Sequence, residues 1–444
     1  MRNASFKHFF RFVLPQITRL WLVAAWLLGA GLAPAGPTDG VATARVLEPL
    51  IASALSSHPS QKSQILLLQS AQAGMDSARW QFYPTPSVSV EQAAASATDP
   101  SYQGASTVRR LSLQQPLWTG GRLTAGLQKA QANVLVSLAS MDEVRQQLAL
   151  RVVQSYGDWM AAHLKILTNE KSMVTHERLQ ALVKRRIEEG VAPNSDSTLV
   201  VARLESLASD TSVLRAQHDI ALARLGQLLG YPVMPAALAS PLAAPHWLSS
   251  GLSNYLDQAL ALSPSLRKAQ SLAQVQVSVV AERRADVSPE VYVRVEQQYG
   301  NFSYRNTPSQ SRLFIGLNSH FGAGLSNLAG IDIAQTQYLA ALEEVEVQGR
   351  IVREQVLADD ALAATSKSRL SALQAALTAA AEVSQSYDRQ FLAGRKSWLD
   401  VMNAARELAQ TELQLADMMS SQVVLTWRLA IYTQGLSAVL GVQP

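Results

Sequence analysis

The sequence of 444 residues contains no cysteine. This absence excludes disulfides, thiolate metal sites, a cysteine nucleophile and a lipid-anchored N-terminal cysteine. Aromatic residues make up only 6% of the chain and charged residues 16%, whereas an average soluble domain has roughly 25% charged residues. The scarcity of both, together with abundant Ala, Leu, Ser, Gln and Val, is typical of close-packed helices and disfavours a globular α/β enzyme.

The sequence also lacks a strong net charge outside its N-terminal segment. Residues 1–35 contain four basic and no acidic residues, so removing them takes the formal charge from +4 to zero. A neutral chain argues against electrostatic binding of nucleic acid.

Motifs for catalysis and cofactor binding are missing as well. The sequence has no GxSxG motif, no P-loop and no dinucleotide fingerprint. The seven histidines show no metal-ligand spacing, at positions 8, 58, 163, 176, 218, 246 and 320. The sequence therefore predicts no enzymatic activity, no cofactor and no metal site.

Residues 1–35 have the three parts of a secretory signal peptide. Residues 1–19 are basic, residues 20–32 form an apolar run of 13, and Ala-Pro-Ala follows. The run is shorter than the ~20 residues of a spanning helix, which disfavours the alternative of a membrane anchor. No later stretch offers ~18 uncharged apolar residues, so we expect an exported protein that enters a membrane only through strands.

An internal repeat divides the remaining chain into two halves. Residues 47–92 resemble residues 252–297 at a shift of 205. The aligned positions include Pro59 with Pro264, Arg79 with Arg284, Pro84 with Pro289, and Glu91-Gln92 with Glu296-Gln297. We predict a first structural repeat over 36–240 and a second over 241–444, joined through the Pro-rich residues 233–250.

Each half is predicted to contain a helix, a β-hairpin with a polar loop, a very long helix, a glycine-containing turn and a returning helix. In the first half, the helix, hairpin loop, returning strand, long helix and last helix cover 47–80, 97–107, 108–118, 122–189 and 195–230. In the second half they cover 252–285, 300–311, 312–321, 325–393 and 397–440. The long helices lack proline and would each extend ~100 Å. A coiled-coil spacing relates Leu150, Val153, Met160, Leu164 and Leu167.

Two hairpins give four strands, which are too few to close a barrel alone. Open strand edges are not tolerated in lipid, because their N–H and C=O groups would be unsatisfied. The predicted fold is therefore a mixed membrane β-barrel and long α-helical coiled-coil barrel, with four strands per protomer and a trimer that closes 12 strands. The alternative is a two-hairpin sheet that caps a soluble helical bundle.

Two motifs connect this organisation to a known family. Residues 114–122 read QQPLWTGGR, similar to the motif Q-P-[LI]-[FW]-x-G-G that closes the second strand of that family. Residues 394–404 read GRKSWLDVMNA, similar to its G-x-x-x-x-x-D-V-[LV]-[DN]-A motif at the second helical turn. With the two-fold order of elements, residues 45–441 resemble the TolC-like outer-membrane factors. The resemblance implies a homotrimer with its barrel in the lipid of the outer membrane and a helical tunnel in the periplasm.

The resemblance also implies a passive exit duct, which a periplasmic membrane-fusion adaptor joins to an inner-membrane transporter. The motif at residues 394–404 is similar to that of the adhesin-exporting type I subgroup, and the lipidated cysteine of many efflux members is absent. Both features favour type I secretion of proteins, with an ABC transporter rather than a proton-driven one. Drug or metal efflux is the alternative, and a periplasmic coiled-coil scaffold is the alternative from another class.

The two helical turns carry the site residues that the resemblance implies. The turn residues Gly190, Val191, Ala192, Gly394 and Arg395 are expected to contact the adaptor. Asp400 matches the first acid of a periplasmic aperture ring, and Asn403 stands where a second acid would be. The alternative for Asp400 is a helix-start acid favoured by the helix dipole.

A latch between helices at the tip is implied in the same way. Ser195 and Asp196 match the Thr-Asp pair of the family, and Lys396 matches its Arg. Phe391 matches the Tyr of the latch but has no hydroxyl, so one bond cannot form. The alternative for Asp196 is a helix cap.

Overall fold

The computed structural model describes residues 44–96, 98–238, 251–319 and 321–441. The first half contains α1 (Ala44–Ser57), α2 (Pro59–Trp80), β1 (Thr85–Gln92), β2 (Thr107–Trp118), α3 (Arg122–Glu188) and α4 (Asn194–Leu229). The second half contains α5 (Leu252–Leu262), α6 (Pro264–Asp286), β3 (Glu290–Tyr299), β4 (Gln310–Asn318), α7 (Ser326–Leu392), α8 (Trp398–Gln434) and α9 (Leu436–Val439). The predicted signal peptide and the boundary between the halves at residue 240 lie outside the described residues.

The predictions of single helices over 47–80 and 252–285 are wrong, because each region forms two helices. The break falls before Pro59 and Pro264, which occupy the first helical positions of α2 and α6. A residue that precedes proline is kept out of the α conformation, and His58 and Ser263 have ψ angles of 133° and 117°. Each also accepts a backbone N–H as a helix cap.

The predicted last helix, 397–440, is also divided, since Gly435 has a φ of +79° between α8 and α9. The predicted strand 312–321 is shorter in the structure, where β4 ends at Asn318. The two long helices extend as predicted, and α3 and α7 have 67 residues each. Among the described helices, we find no uncharged apolar stretch of the length that a membrane-spanning helix needs.

The four strands form one antiparallel sheet in the order β1-β2-β3-β4. The central pair joins the two halves of the chain, with Leu113 of β2 opposite Val295 of β3. The register of this pair shifts between Pro116 and Trp118, where proline has no N–H for the ladder. Within the described part of the chain, the outer edges of β1 and β4 have no strand beside them.

The sheet has an apolar face and a polar face, as the register of the strands shows. The apolar face contains Val88, Leu111, Leu113, Val293, Val295, Leu313, Ile315 and Leu317. The polar face contains Ser87, Glu91, Arg110, Ser112, Gln114, Arg294, Glu296 and Arg312. Val88 and Ile315 are 71% and 76% exposed, so the apolar face is uncovered in one chain. Strands with apolar residues on the outward face and polar ones on the other are typical of membrane barrels.

The largest core lies where α1, α3, α4 and α8 meet. Tyr156, Trp159 and Trp427 are almost fully buried there. Of the coiled-coil positions predicted on α3, Val153 and Met160 are fully buried in this core. Leu167 is half exposed, so the predicted apolar stripe does not continue towards the end of the helix.

Candidate functional site

The first helical turn, between α3 and α4, is closed by backbone hydrogen bonds. Gly190 has a φ of +75°, which favours glycine, and the N–H of Val191 donates to the carbonyl of Arg186 at 2.9 Å. Val191 is 62% exposed despite its apolar side chain. The turn therefore presents an apolar contact point at the end of the molecule.

The second turn, between α7 and α8, repeats this geometry. Gly394 has a φ of +69°, and the N–H of Arg395 donates to the carbonyl of Gln390 at 2.8 Å. Gly394 and Arg395 are exposed. The residues predicted to contact an adaptor thus lie in two turns with the same hydrogen-bond pattern.

An apolar cluster places both turns at the same end of the molecule. The cluster contains Leu179, Val183, Val200, Phe391, Trp398, Val401, Met402 and Ala405, and we call it the tip cluster. Its members come from all four long helices, α3, α4, α7 and α8. The tip is therefore held together by packing as well as by the turns.

Phe391 is a buried member of the tip cluster and is 4% exposed. Its ring centroid lies 5.7 Å from that of Trp398, and the guanidinium carbon of Arg186 lies 4.6 Å from the Phe391 ring centroid. This cation–π contact joins the end of α3 to the end of α7. Phe391 thus contributes a ring contact at the position where the family resemblance implies a tyrosine hydroxyl.

Asp400 forms a capping box with Ser397 at the start of α8. The Asp400 N–H donates to Ser397 Oγ at 3.2 Å, and the Ser397 N–H donates to Asp400 Oδ2 at 3.1 Å. Hydrogen bonds from the Ser397 side chain, and next from its backbone, hold the pKa of Asp400 below its usual range. Asp400 therefore keeps its negative charge in mildly acidic surroundings. Asn403, one turn later on α8, is exposed.

The proposed latch residues lie around the two turns. Ser195 and Asp196 are in the first turn of α4, where the Asp196 N–H donates to the carbonyl of Pro193 at 3.1 Å. Lys396 Nζ lies 4.2 Å from the centroid of the Tyr387 ring. The ion pairs found among the described residues do not include one between Lys396 and Asp196. The latch remains a prediction about the assembled tip.

The sequence matches the family described as "Outer membrane efflux protein" over residues 50–231 and 255–430, one segment in each half. These segments cover most of the chain. The chain belongs to the outer membrane efflux protein family. Members of this TolC-like family are channels rather than enzymes, so the protein is an outer-membrane channel with a periplasmic helical extension.

Solved structures of outer-membrane proteins share this fold. The outer-membrane channel OprN matches with a TM-score of 0.75 at 18% identity. The match covers 88% of this chain and 90% of the OprN chain. CusC has a TM-score of 0.75 at 19% identity, with coverage of 93% and 96%. The outer membrane protein VceC from Vibrio cholerae has a TM-score of 0.72 at 18% identity, with coverage of 88% and 96%. A comparison with curated proteins found no match.

Sequence reasoning missed the ion pairs that connect α3 to the helices of the second half of this efflux protein. Lys165 Nζ lies 2.5 Å from Asp417 Oδ1 on α8. Further along α3, Lys171 pairs with Glu412 and Arg178 pairs with Asp388. A step of seven residues places Lys171 and Arg178 on one side of α3, whereas the step of six residues places Lys165 about 120° around the helix from them. The spacing in the sequence therefore neither groups the three basic residues nor identifies their acidic partners.

Two of the seven histidines, which show no metal-ligand spacing in the sequence, meet in the structure. The ring of His163 on α3 stacks on Trp159 with centroids 5.2 Å apart, and the ring of His218 on α4 lies 6.1 Å from that of His163. Burial, and next the neighbouring His218, lowers the pKa of His163. Within the described ranges, no group of three His, Asp or Glu side chains is arranged to hold a metal ion.

Proposed function

We propose that this protein is the exit duct of a tripartite efflux system and works as a homotrimer that passes small solutes. The observation that carries the proposal is the family match over both halves, on a chain whose four-stranded sheet has an uncovered apolar face. A pump in the inner membrane would supply the energy, since the duct itself has no catalytic role.

The trimer follows from the two free edges of the sheet. Pairing of β4 in one protomer with β1 in the next satisfies the N–H and C=O groups of both edges. Three copies give 12 strands, an even number within the range known for membrane barrels. The apolar face then contacts lipid, and the polar face lines the lumen.

The adaptor is expected to contact the two turns at the tip. Gly190, Val191 and Ala192 in the first turn and Gly394 and Arg395 in the second form equivalent surfaces in the two halves. Three protomers would present six such turns around the end of the tunnel. An adaptor of matching symmetry would bridge this end to either an ABC or a proton-driven transporter.

Efflux is better supported than type I secretion, which the motif at residues 394–404 favours. The family match is to efflux proteins. Only the motif at residues 394–404 and the lack of cysteine favour type I secretion. Deletion of the gene separates the two functions. We expect the deletion strain to become sensitive to dyes, antibiotics or metal ions that the complemented strain tolerates. Unchanged sensitivity, with a large secreted protein retained in the cell, would reverse this choice in favour of secretion.

Asp400 is proposed to line the aperture of the tunnel, with Asn403 one turn further along the same helix. Three charged carboxylates around a threefold axis attract cations to the entrance. We therefore expect Asp400→Asn to weaken block by a trivalent cation such as lanthanum, added from the helical side in a planar bilayer, by about tenfold.

Asp210→Asn is the matched control for this substitution. Asp210 is exposed on α4, outside the two turns and outside the predicted latch, and the substitution removes the same charge. We expect it to leave the lanthanum block unchanged. Equal effects of the two substitutions, or no effect of Asp400→Asn, would reduce Asp400 to the capping role that its contacts with Ser397 show.

A further inference from the structure

Three arginines on the polar face of the sheet surround one buried carboxylate. Arg110 Nε on β2 lies 3.1 Å from Glu296 Oε1, and Arg294 Nε on β3 lies 4.0 Å from Glu296 Oε2. Arg312 on β4 stands directly opposite Glu296 in the register of the strands. Glu296 is only 6% exposed, so its carboxylate is largely shielded from solvent.

The acidic residues near these arginines do not neutralise them. The second acid on this part of the face is Glu91, whose Oε1 lies 3.7 Å from Arg110 Nη1. Three cationic side chains therefore face two carboxylates on this part of the sheet. Glu290, further along the same face of β3, is paired with Arg122 of α3 at 3.1 Å, so this side of the sheet has one net positive charge.

The guanidinium groups are held in place and still have free donors. The guanidinium carbon of Arg294 lies 4.9 Å from the ring centroid of Phe314, a cation–π contact that restrains it. Arg312 is exposed and donates to the side chain of Gln310 on its own strand. Because a guanidinium has five N–H donors, these contacts leave donors for an acceptor from the lumen.

The polar face is also concave where it meets α3. The cavity at this junction has a volume of about 440 Å³, within the roughly 300–1,000 Å³ that is usual for small-ligand sites. Its lining includes the hydroxyl, amide and guanidinium side chains of Thr85, Ser87, Ser112, Gln114, Arg122 and Arg294. The lining also includes Glu290, which is paired with Arg122 at 3.1 Å, and Arg294 is the member of the arginine group that reaches this cavity. The cavity thus opens the same face to solutes.

We propose that Arg110, Arg294 and Arg312 form an anion-attracting arginine belt inside the barrel, selective for solutes with carboxylate, phosphate or sulfate groups. The inference rests on the proposed function, because it requires the polar face to line a lumen. Three protomers repeat the belt around the pore, and the low-dielectric wall focuses its field on the aqueous path. Guanidinium groups suit such anions because they donate parallel hydrogen bonds to two oxygens.

The test uses block of single channels in a planar bilayer by inositol hexakisphosphate, added from the sheet side at 0.1 M KCl. We expect Arg312→Gln to weaken the block by at least about threefold, since it removes three charges per pore. Glu91→Gln should strengthen the block, and Arg312→Lys should retain it because the charge is kept. In 1 M KCl the differences should disappear, because the Debye length falls to about 3 Å.

Arg109→Gln is the matched control, because Arg109 is next to Arg110 but lies on the apolar face of the sheet. We expect it to leave the anion block unchanged. Equal block of wild type and Arg312→Gln, or an equal loss in Arg109→Gln, would overturn the arginine belt and leave the duct intact. Failure of the wild-type protein to form pores would instead overturn the proposed function.

Discussion

Asp359→Ala is expected to lower the free energy of unfolding by about 3 kcal/mol per protomer, because it leaves a partly buried arginine without its partner. Asp359 on α7 is fully buried, and Arg428 on α8 contacts both of its carboxylate oxygens. Gln355 donates a further hydrogen bond to Asp359 Oδ1 at 3.2 Å. The measurement is the thermal unfolding midpoint of the detergent-solubilised protein.

The buried position of this pair explains the size of the effect. Burial raises the pKa of Asp359, and Arg428 and Gln355 oppose that rise. The Asp359 carboxylate therefore depends on these two contacts to keep its charge. Replacing both residues by leucine removes the isolated charge, so we expect the double variant to recover most of the lost stability.

Glu346→Ala is the control on the same helix. Glu346 contacts Arg350 and Arg353 at 3.1 and 3.8 Å, and all three side chains are about half exposed or more. Exposed pairs of this kind contribute about 0–1 kcal/mol. If Glu346→Ala and Asp359→Ala lowered the midpoint equally, the buried pair would have no special role in joining α7 to α8.

Gly157→Ala is expected to destabilise the contact between α3 and α8 by about 2 kcal/mol, although alanine is the better helix former. A Cβ at position 157 would lie 2.2 Å from Val424 Cγ2. The backbone carbonyl of Gly157 also accepts a hydrogen bond from Ser420 Oγ at 2.6 Å, which fixes the distance between the helices. The added methyl group therefore forces the two helices apart or displaces Val424.

Two further variants test this explanation. Val424→Ala removes the clashing methyl groups, so it should cost less stability in the Gly157→Ala background than in the wild type. Gly126→Ala is the control on the same helix, because nothing lies within 4 Å of the added Cβ. We expect it to be neutral or to stabilise by up to about 1 kcal/mol. Equal destabilisation by both glycine substitutions would contradict a close approach at Gly157.

The sequence predicts the helices and strands of this fold better than it predicts which of them pair or pack together. The alternation at Val293 and Val295 and the Pro-free stretches predict the strands and long helices, because these patterns are local. The breaks before Pro59 and Pro264 were predictable from the same kind of rule, since proline favours the first helical position. The pairing of β2 with β3 depends on contacts between the halves, and no local pattern specifies it.

In the candidate site, too, local features are predictable from the sequence and contacts between distant residues are not. The motif at residues 394–404 identifies the turn and Asp400, and the spacing of Ser397 and Asp400 is that of a capping box. The contact of Arg186 with Phe391 and the pair of Asp359 with Arg428 join residues far apart in sequence. Helix periodicity fixes the face on which each side chain lies, but the neighbour on that face depends on the packing of whole helices.

The central claim, a barrel closed by three protomers, is tested most directly by disulfide cross-linking between β1 and β4. The chain has no cysteine, so introduced pairs are the only thiols present. A cysteine at Val88 of β1 is combined in turn with one at Leu313, Ile315 or Leu317 of β4, all on the apolar face. Oxidation in outer membranes should join the chains of at least one pair into a covalent species of three chains and no more. Monomers throughout, or an open-ended ladder of larger species, would contradict the closed trimer.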